Sequence, residues 1–398
     1  VRRKKMLIIK LAFKNITHAG FRTWLNVFVL SFAFVLIVFT EGFYDGMTQQ
    51  VKDGMIDSEI GGGQFWQKAY DPYDPFSFEN AHSPLPQELA EEVNKGNATA
   101  ILIVQAAIFP QGHIESALLK GIDPGQKIVN IPSSLLNKNT DTLYIPGLIG
   151  SRMANNANLK KGDYVSVRWR NINGTFDAAD IKIVDIMNTD VQSIDRGQIW
   201  IPLNNMRMML QAPGEATIVT MKKNTVNIPR VDNNWIYRSH AYLFKDLDDT
   251  MSRKKMTSAF MYILLLGMAL LAVFDTQVLA IFRRRKEMGT LMALGMTRWN
   301  IIGLFTIEGS LLGILAFIAG SIYGIPIMAY LAKTGFGMPS MIEGVGSAIP
   351  SILYPKYGAG IYFITTIILF ISVIIVSYIP TRRITKLKPT DALRGKLS

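Results

Sequence analysis

Four long stretches with almost no charge, at 23–43, 256–282, 300–331 and 358–380, limit what this chain can become more than any other feature. About 20 apolar residues of helix cross the hydrocarbon layer of a bilayer, because a helix satisfies all of its own backbone polar groups there. Helices buried in a soluble core are the alternative, and segments this long and this free of charge argue against it. The third stretch exceeds a perpendicular crossing and carries Pro326 and five glycines, so a tilt or kink is expected. Composition agrees, since 18% charged residues is below the roughly one quarter usual for soluble domains.

The basic residues set an orientation. The chain carries 42 Lys and Arg against 30 Asp and Glu, and the excess is not spread evenly. Residues 1–22, 283–299 and 381–398 together hold 18 basic residues against two acids. Basic flanks stay on the cytoplasmic side, so both termini and the 283–299 connection are predicted to be cytoplasmic. Arg253, Lys254 and Lys255 would then lie outside, which a long exported segment tolerates. Residues 1–22, with MLIIKLAFKNI, read as an interfacial helix. The apolar run behind them is too long for a cleaved signal and continues into EGFYDG rather than a small-residue cleavage site, so it reads as an uncleaved first span.

Between the first and second spans lie residues 44–255, the size of one or two domains. Strand-like runs appear at ATAILIVQAAIF, ESALLKGI, YVSVRWR, DIKIVDI and QIWIPL, and helix-like runs at QELAEEVNKG and IGSRMANNANLKKGD. ING at 172–174 joins two of the strands as a hairpin. FKDLDDTMSRKKMTSAF reads as a helical stalk continuing into the second span. The predicted fold is an α-helical membrane protein: four transmembrane helices, with a large α+β extracytoplasmic domain inserted between helices 1 and 2. The third and fourth spans are joined by an outer loop at 332–357.

The chain has no cysteine and four scattered histidines, which excludes thiolate sites and gives no histidine cluster, so no metal site is expected. EIGGGQ at 59–64 looks like a nucleotide signature. However, no GxxxxGK[ST] phosphate loop is present, and a glycine turn explains it. No catalytic constellation presents itself. The informative stretch is RRRKEMGTLMALGMTRWNIIGLFTIEG at 283–309, where Gly289 and Gly295 frame the apolar, helix-prone TLMAL. A short amphipathic helix ending at Gly295 would form a cytoplasmic knob suited to docking on a partner.

The pattern R-x-x-E-x-G-x-x-x-A-x-G, followed by a helix bearing Glu-Gly, resembles the FtsX-like permeases of ABC transporters. LAFKNITHAGFRTWLN is similar to that family's approach to its first span, KLKPTDALR to its tail, and IGSRMANNANLKKGDYVSV to the porter or sabre-like region of its MacB and Lol branches. The resemblance implies mechanotransmission, in which a separate cytoplasmic ATPase dimer (LolD-like) binds ATP and Mg and drives two permeases, this chain and a second copy or paralogue. This chain is then not an enzyme and holds no cofactor. Glu287, Gly289, Ala293, Gly295, Met296, Thr297 and Arg298 are carried over as ATPase-coupling residues.

The chain lacks the fused ATPase of the MacB branch and places Asp275 where that branch commonly has asparagine. The unfused chain and its large outer segment look most like the lipoprotein-releasing Lol permeases (LolC/LolE) of the bacterial inner membrane. That implies a lipoprotein substrate, a periplasmic carrier and contact with membrane lipid, and no nucleic acid. By the same resemblance, Leu36, Phe39, Phe43, Phe260, Tyr262, Ile263 and Asp275 become candidates for a substrate cavity between the first two spans. Asn171, Asn173 and Phe176 become candidates for a carrier-binding hook. MacB-like efflux of small molecules or peptides, and FtsX-like signalling to cell-wall hydrolases, remain the alternatives. A lone acid inside a span costs about 2.5–3.5 kcal/mol, so Asp275 is expected either to pair structurally or to serve the cavity, and Glu308 to support the coupling loop. Gly309, Gly313, Gly320 and Gly324 are expected at helix contacts.

Overall fold

The computed structural model describes residues 21–137, 144–189, 191–225, 227–337 and 352–382. The interfacial helix expected over 1–22 and the tail expected over 381–398 lie almost wholly outside them, as does most of the 332–357 loop. The main helices in chain order are α1 (Phe21–Met55), α2 (Gln87–Asn94), α3 (Ser151–Asn156), α4 (Leu203–Leu210), α5 (Lys245–Arg283), α6 (Arg285–Ala293), α7 (Arg298–Thr334) and α8 (Ala359–Thr381). The main strands are β1 (Gln64–Gln67), β2 (Ala98–Ile108), β3 (Glu115–Ile122), β4 (Ile145–Gly150), β5 (Tyr164–Arg170), β6 (Phe176–Met187), β7 (Gln198–Pro202), β8 (Ile218–Met221) and β9 (Trp235–Arg238). The chain divides into two units, 1–47 with 250–336 and 353–398, and 48–249 with 337–352.

In the first unit, α1, α5, α7 and α8 are each long and apolar enough to cross a membrane. Two of them overrun their apolar stretches. α1 continues past residue 43 to Met55 and passes into a π-helical turn, Ile56–Ile60, and α5 already begins at Lys245. The run predicted as a helical stalk is therefore the first part of α5. Pro326 lies within α7, whose assigned helix runs unbroken from Arg298 to Thr334.

Val27, Leu30, Phe34 and Val38 recur at helical spacing on α1, and pack with Ala269 and Val273 of α5, Leu312 and Ala316 of α7, and Leu369 and Val373 of α8. Small residues set how closely these helices approach. A Cβ placed at Gly324 would come 2.7 Å from Val35 of α1, and one at Gly309 would come 2.3 Å from Ser377 Oγ of α8. The four expected helix-contact glycines of α7 are all buried.

The second unit is built on one nine-stranded sheet, ordered β9-β1-β8-β2-β3-β7-β4-β6-β5, in which β2 also pairs with β5. Six strands from β2 to β5 thereby close on themselves, so that β5 is not an open edge, whereas β9 at the other end of the sheet has a single neighbour among the described residues. Pairing is antiparallel except for β3 with β7 and β4 with β6. Because successive side chains of a strand point to opposite faces, β2 feeds two cores. Leu102, Val104, Ala106 and Ile108 join one with α2, α3 and α4, while Ile101 and Ile103 join another with Trp66, Phe78 and Trp200. The strands expected from the sequence are all present. EIGGGQ is a turn, with Gly61 at φ 59° and Gly63 at φ 113°, values that favour glycine.

Candidate functional site

The knob predicted after the second span is α6. Its end is a Schellman motif, in which the Gly295 amide donates to Met292 O (3.0 Å) and the Met296 amide to Leu291 O (3.0 Å), with Gly295 at φ 90°. α7 then starts on Thr297, whose hydroxyl accepts from the Asn300 amide. This pair of caps turns the chain sharply within a few residues. The apolar side of the knob is seated, since Met288 is buried with Ile281, Ile301, Ile302 and Phe305, and Leu291, Met292 and Met296 pack on them.

One side chain ties the knob to its supports. Arg284 Nε donates to Glu287 on α6 at 2.7 Å, and its Nη1 donates to both carboxylate oxygens of Glu308 on α7 at 3.0 and 2.9 Å. Its guanidinium also lies 4.9 Å from the centre of the Phe305 ring. Burial acts to lower the Arg284 pKa, but the two carboxylates outweigh it and hold the group above its ordinary value. The guanidinium is therefore a fixed charge bonded to two helices, and the planar fork of arginine suits that task where a lysine would not.

The coupling candidates divide around this seat. Glu287, Ala293, Gly295, Thr297 and Arg298 are exposed, Met296 is half-buried, and Gly289 is buried. Leu294 and Trp299 are exposed large apolar residues on the same tip. Sequence reasoning quoted Arg284 within the motif without singling it out, and it passed over Leu294 and Trp299. A tryptophan beside a basic, glycine-framed helix was the available signal.

Residues 259–389, which include this helix–knob–helix and α8, match the FtsX-like permease C-terminal family. The chain carries an FtsX-like permease domain. Across 319 residues it is 21% identical to "Lipoprotein-releasing system transmembrane protein LolC" of Xylella fastidiosa strain 9a5c, covering 70% of this chain and 73% of that one. With the protein of the same name from strain Temecula1 it is 23% identical over 314 residues, with 70% and 73% covered. Among solved structures, the periplasmic region of MacB from Actinobacillus actinomycetemcomitans aligns with 50% of this chain and 98% of that one, at 8% identity and a TM-score of 0.32.

Within the helical unit, α5 is held to α1 at both ends. Asn26 Nδ2 donates to Thr276 Oγ1 (2.7 Å) and Ala272 O (3.2 Å), and Ser258 Oγ donates to Tyr44 Oη (3.0 Å). Lys255 pairs with Asp45, with Glu41 at 3.9 Å. Of the cavity candidates, Leu36, Phe39 and Phe43 are half-buried on α1, with the rings of Phe39 and Phe43 6.4 Å apart. Tyr262 is half-buried, whereas Phe260 and Ile263 are exposed on α5. Asp275 is exposed in the middle of a continuous stripe of exposed α5 residues, Phe260, Leu264, Met268, Leu271, Leu279 and Phe282.

The hook candidates also separate. Asn171 is buried, and its Oδ1 accepts from the amides of Asn173 and Thr175 at 3.0 Å each, so its side chain shapes the turn itself. Asn173 Nδ2 donates to Gln211 Oε1 (2.8 Å), and Phe176 is exposed beneath the Arg168 guanidinium at 4.5 Å. Arg170 anchors the hairpin through Gly174 O (3.0 Å) and Glu79 (2.8 Å). Among the described residues no group of His, Asp and Glu is arranged to hold a metal ion.

Proposed function

We propose that this chain is the permease subunit of a mechanotransmitting ABC transporter that lifts lipoproteins out of the inner membrane and hands them to a periplasmic carrier. The observation that carries the reading is the seated knob: α6 is held to α7 through Arg284, Glu287 and Glu308 and lies inside the region matching the permease family. A knob fixed in this way moves with its helices when a cytoplasmic ATPase closes on ATP, while a loosely tethered loop would absorb the motion. The ATPase binds the nucleotide and Mg, and the exposed tip from Glu287 to Trp299 is the surface offered to it.

Motion then passes along α1 and α5, each of which extends without interruption well beyond its apolar stretch. A second permease, copy or paralogue, covers the exposed α5 stripe, where the otherwise costly Asp275 finds a polar partner. The acyl chains enter between α1 and α5 near Phe39 and Phe43, and the hairpin bearing Phe176 meets the carrier. Support for lipoproteins as the cargo comes from the resemblance to the two LolC proteins.

The test is depletion of this chain in its host, followed by separation of inner and outer membranes and an inventory of lipoproteins in each. Mature lipoproteins should accumulate in the inner membrane. Unchanged sorting would overturn lipoprotein release as the function.

A further inference from the structure

A cavity of about 580 Å³ lies wholly within the α/β unit, lined by the π-helical turn after α1, by β1 and the loop that follows it, by the end of β9 and by the first residues of α5. That volume falls in the range of about 300–1,000 Å³ typical of small-molecule sites. Its walls are aromatic. Tyr70 and Tyr242 stand edge-on to Trp66, with ring centres at 5.0 and 5.8 Å, and Tyr73 closes another side.

The charges of this cavity balance in number, three acids against three cations, but among the described residues the cations are not paired with the acids. Each of its three acids is engaged: Glu59 pairs with Lys120 at 2.5 Å, Asp71 accepts from the Tyr73 amide at 2.9 Å, and Asp246 accepts from the Tyr73 hydroxyl. Three cations face them, Lys68, Arg238 and Lys245, and none makes an ion pair among the described residues. Arg238 is the central one. Its guanidinium is stacked 4.1 Å from the ring centre of Tyr242 and 5.5 Å from that of Trp66, and its Nε is a buried donor with no hydrogen-bond partner among the described residues. Ring faces orient a guanidinium without neutralising it, and a half-buried cation lacking a counter-ion is costly. A carboxylate matches the guanidinium edge, and a flat apolar body matches the rings.

We infer that this cavity binds a small organic anion, a carboxylate on an aromatic body, with the carboxylate on Arg238 and the body against Trp66 and Tyr70. The site belongs to the α/β unit alone and does not depend on which cargo the permease domain moves.

The probe is 2-naphthoate, with the uncharged 2-naphthamide as its counterpart, measured by saturation-transfer NMR on the full chain in nanodiscs, with empty nanodiscs subtracted for lipid partitioning. Naphthoate should bind saturably and about tenfold more tightly than the amide, the scale of one charge-assisted contact. Arg238→Gln should abolish that preference, and Arg238→Lys should restore part of it. Equal binding of the two probes, absence of saturable naphthoate binding, or a preference that survives Arg238→Gln would each overturn the inference. If Arg238→Gln fails to fold, the two-probe comparison on the unaltered chain still decides the charge requirement. Tyr242→Leu, at the exposed rim, then decides the location: naphthoate affinity should fall about threefold, and unchanged affinity rejects this cavity.

Discussion

The two units solve the same problem, burying apolar side chains, in opposite ways. The α/β unit buries them against itself, on both faces of a sheet that closes through β2 and β5. The helical unit buries one stripe of each helix and leaves rows of isoleucine, leucine and phenylalanine on the outside of α5, α7 and α8. An exposed isoleucine is a minor cost in water and an asset in lipid. The same accessible surface therefore has opposite meaning in the two units, and only the α/β unit is complete without its surroundings.

Substitutions at matched positions test that contrast. Trp200 is fully buried and carries the Lys120 ammonium 5.1 Å from its ring, whereas Trp299 is exposed at the knob. Trp200→Ala should lower stability by about 3–5 kcal/mol. Trp299→Ala should leave the melting of the purified chain within about 0.5 kcal/mol while weakening association with the ATPase. A large loss of stability from Trp299→Ala would show that the knob's tip is structural.

A sharper pair uses two exposed isoleucines, Ile367 on α8 (55% exposed) and Ile228 in the α/β unit (43%). Ile367→Asp should cost about 2.5–3.5 kcal/mol in a membrane-insertion assay. Ile228→Asp should stay within about 0.5 kcal/mol on thermal melting. Equal effects would erase the distinction between lipid-facing and water-facing surface.

Next in size is the ion-pair seat. Glu308→Gln removes the charge that holds Arg284 to α7 and should cost about 1–3 kcal/mol, together with most of the substrate-stimulated ATP hydrolysis in the reconstituted complex. Glu287→Gln, on the more exposed carboxylate, should cost less than about 1 kcal/mol. Retained stimulation in Glu308→Gln would mean that the knob is held by its apolar seat alone.

The smallest contrast lies inside the helical unit. Gly309→Ala drives a methyl to 2.3 Å from Ser377 Oγ, and should cost about 1–3 kcal/mol. At Gly313 the nearest atoms are 3.5 Å away, so Gly313→Ala should be neutral, or stabilising by up to about 1 kcal/mol through helix propensity. Melting in one detergent orders the two.

What could be read from the chain beforehand follows from how local the physics is. Length and charge mark the four apolar helices, a continuous apolar run marks β2, and alternation marks β5 and β6, because all of these depend on neighbours along the chain. The knob was legible through Gly289 and Gly295, since a helix stop is written in a few residues. At Asn171 local pattern and tertiary role differ in kind: asparagine at a hairpin tip looks available to a partner, and its side-chain carbonyl accepts the two amides that close the turn.

The sequence by itself determined the helices, the strands and the basic flanks, all set by spacing and composition. Tertiary structure alone decided which carboxylates Arg284 joins, since Glu308 is 24 residues away and reaches it only when α7 folds back beside α6. It also decided that Arg238, at the end of an ordinary strand, comes to face Trp66 and Tyr242. Bonds between distant residues depend on how elements pack, and no local pattern in a single chain encodes that packing.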